Sequence, residues 1–491
     1  MAKAGRLIAL TVALAGAAVG VWLGVASDDG RSTAPAPPYQ HFRTRSDLRP
    51  PIVTILHRSP GAAPGYVFLA PKGKVAQDGP MIVDDRGQLV WFDPLAAKGV
   101  ADFKVQRYRG RPVLTWWQGE IVKAGHAGTA SGYVIMDGSY HVIRVVHAGN
   151  GLTGDIHDFQ LTPDGNALMT IFHKVPYDLS SVGGPKHGYV LEGVVQELSL
   201  TTGRVLFEWH SGQHVAPGES YFPLGPKTGL FKSPYDYFHI NSVALDTNGN
   251  LLVSARHTST VYEIRKRDGA VLWRLGGKKS DFTFGRGARF AWQHDARRQA
   301  DGTITVFDNA AKSARKGLQS RALVLRVDVA AHRATLVRAY AHRPPLLSTS
   351  QGDQQRLPDG HVFVGWGSNP FFTEYTEAGR VLLDGRFGTG DDSYRVFHFA
   401  WTARPTTRPA VAVARGGSGA ATVYASWNGS TEVARWQVLG GSDAGRLHAV
   451  ASAPKAGFET AIRLSSSPRY VAVRALDASG AVLAASAATR G

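Results

Sequence analysis

Three histidines stand at nearly the same distance from the turn glycine that follows each of them. His157 is 8 residues before Gly165, His294 is 8 before Gly302, and His239 is 10 before Gly249. Arg256 follows Gly249 by 7 residues, so a hairpin running down from His239 has climbed back to the same level, and the two become neighbours. A neutral imidazole, with a reference pKa of about 6.5, serves near pH 7 as a nucleophile or a proton carrier. A guanidinium holds a planar or trigonal oxyanion through its fork of donors. The chain has no Cys, and the only carboxylates beside these residues are Asp158 and Asp295, so the set makes a poorer metal cage than anion site. No metal or cofactor is assigned to it. A single His at a strand start is ordinarily a hydrogen-bonded structural residue; the shared offset is what argues for function. Asp158 and Asp295 read as turn-closing residues, with orienting the neighbours of the preceding residues as their other reading. His173, His187, His210, His214, His257 and His398 lack that convergence and read as structural or solvent-facing.

The elements that must deliver these side chains are short strands. From about Gly65 to Trp401, β-branched and aromatic runs alternate with turn dipeptides, and no long helical period occurs. Asp164-Gly165, Asn248-Gly249, Asp301-Gly302 and Asp359-Gly360 each separate two strand-like runs, as tight β turns require, and Asp85-Arg86-Gly87 reads as a fifth copy. Thr202-Gly203, Asp268-Gly269 and Ala378-Gly379 mark outer hairpins. Two hairpins make a four-stranded unit. Spacings of 53 residues from Gly249 to Gly302 and 58 on to Gly360 suit one propeller blade each. The first strand of a blade lines the axis, so the three histidines are expected around one mouth of a central channel. Gly352 holds the matching offset in the next unit and leaves space where an imidazole would otherwise protrude; room for a substrate is one reading of it. A Gly/Pro-rich insert at about 211–237 is of the kind that forms a lid or rim. Trp116, Trp117, Tyr237, Phe371 and Phe372 are read as core aromatics, with flanking of an aromatic ligand as their other reading.

A chain of 491 residues exceeds the usual size of one hydrophobic core, and 43% hydrophobic against 19% charged residues excludes bulk disorder. The expected fold is all-β: a propeller over 66–402, then a small β-sandwich over 408–488, where Tyr424 to Gly429 and Tyr470 to Asp477 resemble a fibronectin type III or immunoglobulin-like module. Lys3 and Arg6 precede an uncharged stretch from Leu7 to Ala26, so residues 1–26 are expected to be a signal peptide or a transmembrane anchor. That places the remainder outside the cytoplasm, either secreted or membrane-anchored. Residues 27–65 are expected to be a linker and N-terminal arm, with 27–50 an extended tether. Without cysteine there are no disulfides, thiolate nucleophiles or lipoprotein anchor. The 55 Lys and Arg against 38 Asp and Glu leave +17, which favours anionic partners and an envelope or membrane surface. No nucleic-acid-binding signature accompanies the charge, and no nucleic-acid partner is expected.

Ile156-His157-Asp158-Phe159, Asp236 to Ser242, Ser254-Ala255-Arg256-His257 and Trp292-Gln293-His294-Asp295, in that order, resemble the arylsulfotransferase family over nearly all of 66–402. Phe42 to Pro51 is similar to its actinomycete and fungal branch. The resemblance implies a six-bladed β-propeller that moves a sulfuryl group from an aryl sulfate donor to a phenolic acceptor through sulfohistidine, without a nucleotide donor. It implies His294 as nucleophile, with His157, His239 and Arg256 holding sulfate oxygens and assisting proton transfer. Asn241, Tyr237 and Asn309 are the implied substrate-binding residues. The sequence departs from bacterial relatives in lacking a separate N-terminal domain and a disulfide, and in carrying the C-terminal sandwich. Two other readings remain open at this point: a non-catalytic envelope-associated propeller binding anionic ligands, and a quinone-dependent dehydrogenase-like protein, whose repeat Thr202 to Trp209 echoes.

Overall fold

The computed structural model describes residues 38–95, 99–121, 128, 131–311, 318–417 and 419–491. The expected signal or anchor at 1–26 lies outside these residues. Among the described residues no helix is long and apolar enough to cross a membrane. The fold is all-β, with 48% strand and 2% helix.

The turn dipeptides do what their chemistry allows. Gly165 at φ 78° and Gly249 at φ 81° take the left-handed conformation, and their N–H groups close back on Thr162 O and Asp246 O, each at 3.0 Å. Repetition of such hairpins yields six antiparallel sheets. The first contains Val396–Phe399, Tyr66–Leu69, Met81–Asp84 and Leu89–Phe92; the second, Gly99–Tyr108, Arg111–Gly119, Gly132–Met136 and Val142–Val146. The third contains Gly154–Leu161, Asn166–Tyr177, Gly188–Ser199 and Val205–His210; the fourth, Ile240–Leu245, Leu251–Ala255, Thr260–Ile264 and Val271–Gly276. The fifth is built from His294–Arg298, Ile304–Asp308, Arg321–Asp328 and Arg333–Tyr340, and the sixth from Asp353–Arg356, Val362–Gly365, Phe371–Tyr375 and Val381–Arg386. Thr283–Phe284 and Thr54–Arg58 add outer strands to the fifth and sixth.

The leading strands of the six sheets touch in cyclic order, the sixth returning to the first. Six apolar clusters fill the spaces between successive sheets. Side chains alternate along a strand, so each sheet feeds two cores: Leu251 and Val253 pack toward the third sheet, Leu252 toward the fifth. This is why the strands read as continuous apolar runs rather than as an alternating pattern.

Beneath the histidines the leading strands share a buried ionic centre. Arg395, fully buried, donates to Asp102 at 2.8 Å and Asp158 at 3.1 Å and lies 3.4 Å from Asp295. Lys104 pairs with Asp102 (2.7 Å) and Asp158 (3.2 Å), and Arg297 with Asp158 (2.6 Å) and Asp295 (2.8 Å). Burial works to raise the Asp158 carboxyl, but Arg297, Arg395 and Lys104 overcome it and hold it well below the usual range. Asp353, in the same centre, is pushed well above that range by burial and then by Asp295. Asp158 and Asp295 therefore do not close turns, as the sequence suggested; they tie the leading strands together.

Downstream, Ala410–Arg415, Ala421–Ser426 and Glu459–Leu464 form one sheet, and His448–Pro454, Arg435–Gly441, Tyr470–Leu476 and Val482–Ala485 another. Val423, Ile462, Trp436, Val438, Val471 and Val473 fill the core between them. This unit is fixed to the ring. Asn428 pairs with the backbone of Phe92 through Oδ1 (3.1 Å) and Nδ2 (2.9 Å), and Gly429 accepts from Tyr140 OH at 2.8 Å. Residues 38–50 are not a tether either: Thr44 N and Oγ1 both donate to Glu459 at 2.6 Å, and Phe42 packs on Phe458.

Candidate active site

The three expected histidines meet. His157 lies in the leading strand of the third sheet, His239 just before that of the fourth, and His294 at the start of that of the fifth. The His157 and His239 ring centroids are 5.2 Å apart, and Tyr394 stands 5.4 Å from His157 and 6.4 Å from His294. Arg256 N–H donates to His239 O at 2.9 Å, the neighbour relation the hairpin spacing predicts.

Each imidazole is anchored through Nδ1 by a side-chain oxygen, which fixes its tautomer. His157 Nδ1 bonds Asp155 Oδ2, and Asp155 is steadied by Thr170 Oγ1 at 2.5 Å. His239 Nδ1 bonds Asp236 Oδ2 at 2.5 Å. His294 Nδ1 donates instead to a neutral amide, Asn309 Oδ1, at 2.6 Å. Its Nε2 accepts from Gln351 N–H at 3.2 Å, so the lone pair sits on Nε2. Burial, then Arg256, push the proton affinity of His294 well below the ordinary His range, and the ring is neutral at pH 7.

Among the described residues Arg256 is clamped without a carboxylate contact. Nη2 donates to Thr349 O at 2.7 Å, Nη1 to His257 Nε2 at 2.9 Å, and the guanidinium lies 4.7 Å over the Trp292 ring. Its Nε has no hydrogen-bond partner among the described residues. Burial lowers its pKa to about 10, which leaves it charged. A half-buried guanidinium whose Nε–H is not engaged, beside three imidazoles, has the donors and charge that suit an anion.

The backbone is bent to this purpose. His239 (φ 55°), Trp292 (φ 58°), Asp295 (φ 54°) and Gln351 (φ 65°) occupy the left-handed region, each at a cost of about 1–3 kcal/mol. Register breaks in the leading hairpins of the third, fourth and fifth sheets lie beside them and re-aim the side chains.

Several expectations need correction. His257 is part of the cluster: it is buried, 4.4 Å from His239, and stacks on Phe222 at 4.4 Å. Burial pushes it well below the usual His range, consistent with an acceptor Nε2. Phe222 comes from the 211–237 insert, so that segment reaches the site. Gly352 does not make room for substrate: a Cβ there would meet the Phe307 ring at 2.5 Å. Asn309 holds His294 and donates Nδ2 to Ser348 O (3.0 Å) and Gln351 O (2.9 Å), which makes it a positioning residue. Tyr237 is fully buried in the core with its hydroxyl on Ser211 Oγ at 2.8 Å, not at the site. Asn241 is also fully buried; Nδ2 donates to Gln293 O at 2.7 Å, which secures the residue before His294. Tyr394, Trp292 and Phe172 line the cluster and were not singled out by the sequence reading.

The family model for arylsulfotransferase (ASST) matches residues 104–388, more than half of the chain. The chain belongs to the arylsulfotransferase family, and the membership supports arylsulfotransferase activity in general. No curated protein matches the chain. Among solved structures, a protein of unknown function from Bacteroides caccae is 14% identical with a TM-score of 0.41, covering 69% of this chain and 99% of that one. A protein from Lactobacillus plantarum is 13% identical with a TM-score of 0.36, covering 82% and 100%. A catalytically inactive virginiamycin B lyase from Staphylococcus aureus, with quinupristin, is 10% identical with a TM-score of 0.30, covering 67% and 82%.

Proposed function

We propose that the six sheets are the blades of a β-propeller, 66–402, that transfers a sulfuryl group from an aryl sulfate to a phenol through sulfohistidine at His294. The chain would act outside the cytoplasm, with 1–26 as its export or anchoring segment and 408–488 as a fixed accessory sandwich. The observation that carries this reading is the difference in what backs each imidazole. His157 and His239 rest on carboxylates, which stabilise an imidazolium as it forms; His294 rests on an amide and keeps its lone pair at Nε2. His294 Nε2 would attack sulfur, forming the N–S bond as the S–O bond to the aryl group breaks. The departing aryloxide takes a proton from the His157 or His239 imidazolium. In the second half the phenol oxygen attacks sulfur, its proton passes to that imidazole, and the S–N bond breaks to restore His294. Arg256 would stabilise charge on the sulfuryl oxygens throughout, as positioned cations do in phosphoryl transfer.

Release of nitrophenol from 4-nitrophenyl sulfate, accelerated by added phenol, tests the activity. Intact-mass analysis after exposure to donor alone should find one added SO3, absent in His294→Ala. A binding propeller without catalysis would show neither turnover nor adduct.

A further inference from the structure

Outside the site, the third sheet carries a second group of ligating side chains. His173 and Glu192 are directly paired across adjacent strands, and His210 closes the next strand opposite Val194. His173 Nδ1 lies 3.1 Å and His210 Nδ1 2.8 Å from the same oxygen, Glu192 Oε1, and the three donor atoms fall within 4.8 Å of one another. Zinc bonds of about 2.0–2.2 Å place tetrahedral ligand atoms roughly 3.3–3.6 Å apart, so small side-chain shifts suffice to seat an ion among them. The outer ring of support is also present. His210 Nε2 donates to Glu208 Oε1 at 2.9 Å, and Glu208 is held by Gln196 and Asn150, each at 2.8 Å. A carboxylate behind a histidine is the arrangement that orients metal ligands. Gly212 N–H steadies Glu192 Oε2 at 3.3 Å, and a Cβ at Gly212 would come within 2.7 Å of that oxygen.

We propose that His173, Glu192 and His210 form a three-ligand site for Zn2+, with Glu208 as the carboxylate that orients His210. Two imidazoles and one carboxylate select a borderline divalent ion over Ca2+ or Mg2+. The His173 side chain is 38% exposed, which gives an entry path and leaves a coordination position for water. Zn2+ displaces the imidazole Nδ1 protons, which pass to solvent. The ion would brace the root of the segment that begins at Ser211 and delivers Phe222, Asp236 and His239 to the active site.

Full-length untagged protein, stripped with chelator and dialysed against Zn2+, should retain one ion and show a higher Tm than the stripped form. Co2+ in its place should give the visible bands of a low-coordinate N/O site. His173→Ala and His210→Ala should each lose the ion, and Glu208→Gln should weaken it about 10–100-fold with the Co2+ bands kept. His239→Ala separates this site from the Asp236, His239 and His257 group and should still bind. If a histidine variant loses its native circular dichroism, Glu192→Gln takes its place in the comparison. No retained ion, or loss in His239→Ala with retention in His173→Ala, would overturn the proposal and leave His210 as a proton-bridged partner of two glutamates. Neither result bears on sulfuryl transfer at His294.

Discussion

His294 Nδ1 and Asn309 Oδ1 are 2.6 Å apart, and both amide hydrogens of Asn309 are committed to backbone oxygens of Ser348 and Gln351. The amide cannot rotate without losing three hydrogen bonds, so the imidazole behind which it stands is held in one tautomer. Asn309→Ala should lower kcat on the order of 10²-fold with KM little changed, since geometry at the nucleophile is lost and donor binding is not. Steady-state kinetics with 4-nitrophenyl sulfate separates the two; a KM effect alone would assign Asn309 to substrate contact.

The depressed proton affinity of His294 fixes a sign for pH dependence. Its neutral form persists below the usual His pKa of about 6.5, so on the proposed attack by His294 nitrophenol release should stay flat as pH falls through that value. Arg256→Gln removes one of the causes and should move the acid limb to higher pH, besides slowing turnover on the order of 10²–10³-fold. Stability follows the same sign. The unfolded chain protonates His294 where the folded chain does not, so its contribution is present above about pH 6.5 and lost as pH falls.

At the ionic centre, Asp353 and Arg395 should respond in opposite ways. Burial holds the Asp353 carboxyl well above its usual range, so Asp353→Asn should cost little in acid, where the carboxyl is neutral in both folded and unfolded chains. As pH rises toward the folded pKa the native protein should lose stability relative to the variant. Arg395→Met strips a cation from Asp102, Asp158 and Asp295 together and should cost about 3–5 kcal/mol. Denaturant titrations at several pH values measure both.

Asn428 pairs with Phe92 N–H and O as a further strand would, on the outer edge of the first sheet. Asn428→Ala leaves both groups without that partner and should cost about 1–3 kcal/mol. Calorimetry should show the ring and the sandwich melting as two transitions in the variant, where the native protein shows one.

What could be read in the sequence followed from turn chemistry. The Asp-Gly and Asn-Gly dipeptides fix hairpin ends, and counting back from them brought His157, His239, His294 and Arg256 to one place. His257 escaped because it lies in the turn two residues beyond the strand that ends at Ala255, where alternation no longer says which way a side chain points. Tyr394 escaped because it arrives with the strand that closes the ring, far from any of the repeats. The repeated His-Asp pairs at 157–158 and 294–295 did carry a signal for the ionic centre: two equivalent strands with the same acidic residue imply shared cations, here Arg297 and Arg395. Gly352 misled because an absent side chain does not say what fills the space, and here it is Phe307.

The first sheet is completed by pairing Val67 with His398, residues from the two ends of the ring. During synthesis the strands bearing His157, His239 and His294 leave the ribosome well before Val396–Phe399 exists. Until that last strand docks, the first sheet lacks its inner member, and neither Arg395 nor Tyr394 is in place. A nascent chain arrested before residue 394 would thus display every imidazole of the site while lacking the latch that makes them converge.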